Sequence, residues 1–153
     1  MLLNRSALYL FESVCSVAPS GLPRFLIPQL REGPILDFEL VPTIEAEYLS
    51  VKTTLEYTLE NMFLLIDKVK VEAAKAKRDR VLIDCRDFTG HMSEAERFLG
   101  GKHIAETYGS RLKVALLMPG EQITKLGEMT AVNRGAKFLV TNDEKEAIAF
   151  LLS

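Results

Sequence analysis

The chain has 153 residues, a length suited to one domain around a single hydrophobic core. Its 48% apolar and 26% charged residues are those of an ordinary globular protein. The formal charge of −2, with no Trp and no basic stripe interleaved with aromatics, argues against a nucleic-acid partner.

No stretch approaches the ~20 consecutive apolar residues of a spanning helix, so stable membrane insertion is not expected. The two cysteines, Cys15 and Cys85, form neither a CxxC pair nor a metal spacing. Reduced thiols and no bound metal or cofactor are the expectation. Residues 7–11 are apolar and follow Arg5, but Glu12 cuts the run below the length of a signal-peptide core. The expected location is therefore the cytoplasm.

Residues 1–34 carry Pro19, Pro23, Pro28 and Pro34, four of the six prolines, and show no sustained period. They read as an irregular or arm-like extension, since proline removes a backbone donor and restricts the residue before it. From Ile35 the pattern becomes regular. Leu36, Phe38 and Leu40 alternate with Asp37 and Glu39, which predicts a half-buried strand ended by Pro42. Tyr48 to Lys52 predicts its antiparallel partner.

A helical period follows through Leu59, Met62, Phe63, Ile66, Val69, Ala73 and Ala76, with Thr58 as N-cap. The group Lys68, Lys70, Lys75, Lys77, Arg78 and Arg80 reads as a solvated helix face with cations at its C-terminus. Val81, Leu82 and Ile83 predict a strand buried on both faces. Ser93 to Glu96 reads as a capping box that starts a second helix. Residues 112–118 predict another buried strand, closed by Pro119 and Gly120.

Ile123, Leu126, Met129, Thr130 and Val132 predict a third helix stopped by Gly135. Phe138 to Val140 predicts the last strand. Asp143 or Thr141 then caps a final helix that turns Ala147, Ile148, Leu151 and Leu152 inward. The order β-β-α-β-α-β-α-β-α implies an α/β domain with a mixed sheet whose later strands are parallel.

Several fragments resemble the SpoIIAA-like family of the wider STAS and CRAL-TRIO-like group. They are Thr58-Leu59-Glu60, the run from Arg80 to Asp84, Asn133-Arg134-Gly135-Ala136, and Thr141-Asn142-Asp143-Glu144 with residues 147–151. The resemblance covers about residues 35–153. It implies a STAS-like sheet with helices packed on it and no known catalytic residues. A non-catalytic regulatory or protein-interaction module is the function it implies, with a protein partner or self-association. The CRAL-TRIO side implies instead a carrier or sensor of an apolar, lipid-like ligand.

In STAS-type antagonists of anti-sigma factors, a Ser at the start of the helix after the central strand is phosphorylated by a partner kinase, within an Asp-Ser-Ser-Gly motif. By that alignment Ser93 stands in the Asp position and Glu94 in the phosphorylated position. The resemblance therefore implies a frame without its phosphoserine switch.

Residues 84–93 form the densest group of functional side chains, at the C-terminal end of a buried strand where open α/β sheets bind ligands. Asp84, Arg86, Asp87, Thr89, His91, Ser93 and Glu94, with His103, make up the candidate ligand or partner surface. A Cys85–His91 nucleophile pair would need hydrogen-bond reach and a third orienting group. A triad at Ser93 lacks the GxSxG elbow, and Asp84, Asp87, His91 and His103 lack metal-ligand spacing. No catalytic residue is assigned, and an enzyme built on this loop ranks behind both binding readings.

Gly100 and Gly101 fall inside the second helix, where the pair costs on the order of 2 kcal/mol relative to alanine. Close approach of a neighbouring element is the expected compensation. The alternative is a ligand lying against the bare helix, with His103 beside it and Leu99, Ile104 and Tyr108 bordering a pocket.

Overall fold

A computed structural model describes residues 38–153. The expected extension over residues 1–34 and its boundary at Ile35 lie outside the described residues. Five strands form one sheet in the order β1-β2-β3-β4-β5: β1 (Glu39–Ile44), β2 (Leu49–Thr54), β3 (Arg80–Asp84), β4 (Lys113–Leu117) and β5 (Lys137–Thr141). β1 runs antiparallel to β2, and the other three pairings are parallel. Four α-helices intervene: α1 (Leu59–Ala76), α2 (Glu94–Tyr108), α3 (Leu126–Val132) and α4 (Glu144–Leu152).

The first strand differs from its expected position. It begins at Glu39 and runs through Pro42, rather than ending there. β1 is the edge of the sheet, and an edge strand can carry a proline whose missing donor faces no neighbour. Its partner extends two residues beyond Lys52, to Thr54.

Alternation along the inner strands sorts the core into two layers. Val81, Ile83, Val114, Phe138 and Val140 pack with Leu65, Ile66 and Val69 of α1, Ile104 and Ala105 of α2 and Ala131 of α3. Leu82, Ala115 and Leu117 face the other way, against Ala147 and Leu151 of α4. The double-sided burial expected for residues 81–83 follows from this sandwich of helix, sheet and helix.

Helix ends follow the local chemistry. Thr58 Oγ1 accepts from the Asn61 amide at the start of α1, and Asp143 accepts from the Lys145 amide at the start of α4. The third helix is shorter than its apolar pattern, and one inward assignment, Leu152, is corrected. Met129 and Val132 are 58% and 47% exposed, because α3 is only two turns long and presents Gly127 and Thr130 to α2. Leu152 is also exposed, about 100° round the helix from buried Leu151. Ile123 precedes α3, just after a 3-10 turn at Gly120–Gln122.

The glycine pair is explained by packing on two sides of α2. A Cβ on Gly100 would meet the Met62 thioether of α1, at 2.7 Å from Cε. A Cβ on Gly101 would collide with the Gly127 carbonyl oxygen and lie 2.8 Å from Thr130 Cβ. The first neighbour is a flexible side-chain end; the second is backbone.

Alanine gains about 1 kcal/mol of helix propensity at either position. Gly101→Ala should nevertheless lower stability by about 2 kcal/mol through overpacking. Gly100→Ala, where the methionine can swing aside, should stay within about 1 kcal/mol of the parent. Urea denaturation measures both, and equal midpoints for the two variants would refute a backbone-tight seam between α2 and α3.

Candidate functional site

β3 delivers Asp84 to the C-terminal edge of the parallel strands, and the chain then loops through residues 85–93 before α2. The loop is tied down rather than free. Thr89 donates its amide to Leu55 O and accepts from the Tyr57 amide, 3.0 and 2.9 Å away. Phe88 and Met92 are buried, and the Phe88 ring centroid lies 5.6 Å from that of Tyr57. Gly90 turns the backbone at φ +103, where a side chain would also press on Tyr57 Cβ at 3.0 Å.

Three of the expected residues form a charged strip with two that the sequence reading missed. The Arg86 guanidinium donates to both Asp84 oxygens at 2.9 and 2.7 Å, and its Nη1 lies 3.1 Å from Glu144. Asp87 pairs with Lys52 at 3.4 Å. The hydrogen bonds from Arg86 hold the Asp84 carboxyl below its ordinary range. Every charge in this strip has a partner, so its members balance one another at a wet surface.

Ser93, the N-cap of α2, makes a full capping box. Its hydroxyl accepts from the Glu96 amide at 3.3 Å, and its amide donates to the Glu96 carboxylate at 2.8 Å. The same hydroxyl donates to that carboxylate at 2.6 Å. These bonds lower the Glu96 pKa, while burial and the Glu96 charge push the Tyr57 phenol up to about 12. His91 is exposed on the loop. Glu94 opens α2 and lies 3.6 Å from Arg97 Nε, with its side chain 63% exposed.

His103 does not join this group. It sits nine residues beyond Glu94, about 13 Å along the helix axis. Its Nε2 lies 2.9 Å from Asp67 of α1, and its ring centroid is 4.6 Å from that of Phe63. The helix between them carries it from the loop to the α1–α2 surface.

The nucleophile arrangements do not assemble. Cys85 is 3% exposed, and burial, with Asp84 beside it, pushes its thiol up to about 12. Exposed His91 offers it no base. The Ser93 hydroxyl is engaged by a glutamate rather than a histidine. Among the described residues, no group of three or more His, Cys, Asp or Glu side chains converges on one point.

The pocket expected beside the glycines differs from the structure. Leu99 is 40% exposed on the outer side of α2, whereas Ile104 and Tyr108 are buried. They line an apolar chamber of about 60 Å³ beneath α1 and α2. A second chamber of about 70 Å³ adjoins it and runs under the α2–α3 seam, where Arg97 forms part of its wall. Arg97 was absent from the candidate residues; its place four residues after the Ser93 cap, on the inner face of α2, was the available signal.

Among solved structures, the chain is similar to an anti-sigma factor antagonist from Mycobacterium paratuberculosis. The identity is 12%, the match covers 76% of this chain and 95% of that one, and the TM-score is 0.52. It also matches a DUF3478-family protein with a SpoIIAA-like fold from Shewanella loihica PV-4. There the identity is 18%, the coverage 74% and 93%, and the TM-score 0.47. No family model matches the chain, and no curated protein matches it. The α/β architecture with a mixed sheet is the one expected from the order of elements, and its fold is the STAS-like one that the resemblance implies.

The buried thiol has a direct chemical consequence. In a Cys15→Ser variant, Cys85 is the sole remaining cysteine. DTNB at pH 8 should leave it unmodified in the native protein and label it in step with urea unfolding. The folded thiol holds its proton to about 12 while the unfolded one releases it near 9.0. Its contribution to stability is therefore complete below pH 9 and declines as pH rises toward 12. Rapid labelling of native protein would contradict the burial.

Proposed function

We propose that this domain is a non-catalytic regulatory module of the cytoplasm that works by binding a protein through α2 and the preceding loop. One observation carries the reading. Phe98 and Leu99 are 42% and 40% exposed on the outer side of α2, within two turns of its capped start. Its inner face is already filled by Gly100, Gly101, Ile104, Ala105 and Tyr108, so the outer pair is left at the surface, where the Arg134 guanidinium lies 5.2 Å from the Phe98 ring centroid. Adjacent large apolar side chains left in water beside a polar rim are a feature of association surfaces.

The loop supplies that rim: the strip from Asp84 to Asp87, exposed His91 and Thr89, and Glu94 at the helix start. The similarity to a structure described as an anti-sigma factor antagonist supports a protein as the partner class. The charged strip would act in orientation more than in affinity, since its members already pair with one another.

A phosphoserine switch is not part of this reading. Glu94 occupies the position that the resemblance assigns to the phosphorylated residue, and it has no hydroxyl to form a phosphoserine. The neighbouring Ser93 hydroxyl is bound in the capping box. Control would then lie in the availability of the partner.

The test is affinity capture followed by quantitative binding. A partner recovered at stoichiometric level should lose at least about tenfold in affinity for Phe98→Asp or Leu99→Asp, with the fold retained in both and thermal stability unchanged in Leu99→Asp. Ser93→Ala should cost about 1 kcal/mol of stability and leave partner affinity intact. Failure to recover any stoichiometric partner, or full binding by both aspartate variants, overturns the proposal.

A further inference from the structure

Among the described residues, Arg97 is the one charged side chain that is buried. It is 8% exposed, on the inner face of α2. A guanidinium presents five N–H donors. Nη1 donates to the Gln122 carbonyl of the 3-10 turn, while Nε is buried with no hydrogen-bond partner. The nearest carboxylate, Glu94, stands 3.6 Å from Nε and belongs mostly to solvent. A cation withdrawn from water with so little compensation is costly to bury.

The other ionic groups of the same wall are already spent. Lys125 Nζ lies 2.8 Å from Glu128 and also donates to the Val140 carbonyl. Glu128 in turn accepts from the Val140 amide at 2.6 Å. Arg97 is thus left as the under-paired charge beside the chamber of about 70 Å³.

The remaining wall is apolar and adaptable. Met62, Met92, Ile104, Leu116, Met118 and Phe138 border both this chamber and the one of about 60 Å³ behind it. Together the two approach the ~150 Å³ of a dry engineered cavity that accepts benzene. Three of the six shared residues are methionines, whose unbranched thioethers repack around a guest at little cost.

We infer that Arg97 and the paired chambers form a site for a short-chain carboxylate, with the anion on the guanidinium and about five carbons among the methionines. The carboxylate would take the unpartnered Nε donor and displace the loose contact with Glu94. The tail would fill apolar space that the core leaves unpacked. The inference does not rest on protein binding through α2, and loss of that reading leaves it standing.

The experiment uses the full chain with ¹³C-labelled methionine methyls, titrated with hexanoate, 1-hexanol and acetate. Hexanoate should shift the methyls of Met62, Met92 and Met118 and leave exposed Met129 in place. The neutral alcohol should bind about tenfold more weakly, and acetate should move none of the three. Arg97→Gln should cost hexanoate about tenfold and leave hexanol unchanged.

Should Arg97→Gln fail to fold, Glu94→Gln at the exposed rim decides. Removal of the competing carboxylate should tighten hexanoate a few-fold without altering hexanol. Equal affinities for hexanoate and hexanol, absence of any shift at the three buried methyls, or insensitivity to Glu94→Gln would each overturn the inference.

Discussion

Backbone-to-backbone contact between α2 and α3 governs the geometry of the helical layer. Gly101 has no Cβ, so the carbonyl of Gly127 can sit where a side chain would stand. Gly127 in turn lies against the Arg97 carbonyl, with only 3.2 Å for a Cβ of its own. A helix of seven residues, α3, is thereby held without a long apolar face. That close approach turns Thr130 and Ala131 inward and leaves Met129 and Val132 in water. It also clamps the turn at Gly120–Gln122 beside α2, which gives Arg97 its one hydrogen-bonded acceptor.

The loop at the strand ends shows a different balance. Its chemistry-bearing side chains are numerous but mutually satisfied: Asp84 with Arg86, Arg86 with Glu144, Asp87 with Lys52, and Ser93 with Glu96. A cluster of that kind orders a loop and presents a fixed surface, yet supplies no group of unusual reactivity. The one thiol in the region is silenced by burial rather than activated. Under-compensated chemistry lies below the surface, at Arg97, and exposed apolar area lies on the opposite side of the same helix. A single element thus offers two chemically distinct faces.

Much of this architecture was legible in the residues. Helical periodicity located α1, α3 and α4, the capping box located α2 and continuous apolar runs located the inner strands; the caps at Thr58, Ser93 and Asp143 are short-range hydrogen bonds that depend on neighbours three residues away or fewer. The loop could also be found, because polar residues crowd after a continuous apolar run. Its membership could not. His103 was grouped with it through nearness in sequence, and nine helical residues carry it instead to Asp67. Lys52 and Glu144 were missed for the converse reason, since only sheet pairing and the packing of α4 on the sheet bring them alongside Asp87 and Arg86.

The sequence by itself determined the β-β-α-β-α-β-α-β-α order of strands and helices, the capped start of α2, and the need for something to offset two mid-helix glycines. Those features arise from backbone propensity and side-chain period, which act over a few residues. Only the tertiary structure decided that the offset is the backbone of α3 and the methionine of α1. It also decided that Pro42 lies within an edge strand, and that Arg97 is buried beside an apolar chamber. Those outcomes depend on which surfaces meet across the fold, and local sequence carries no measure of that distance.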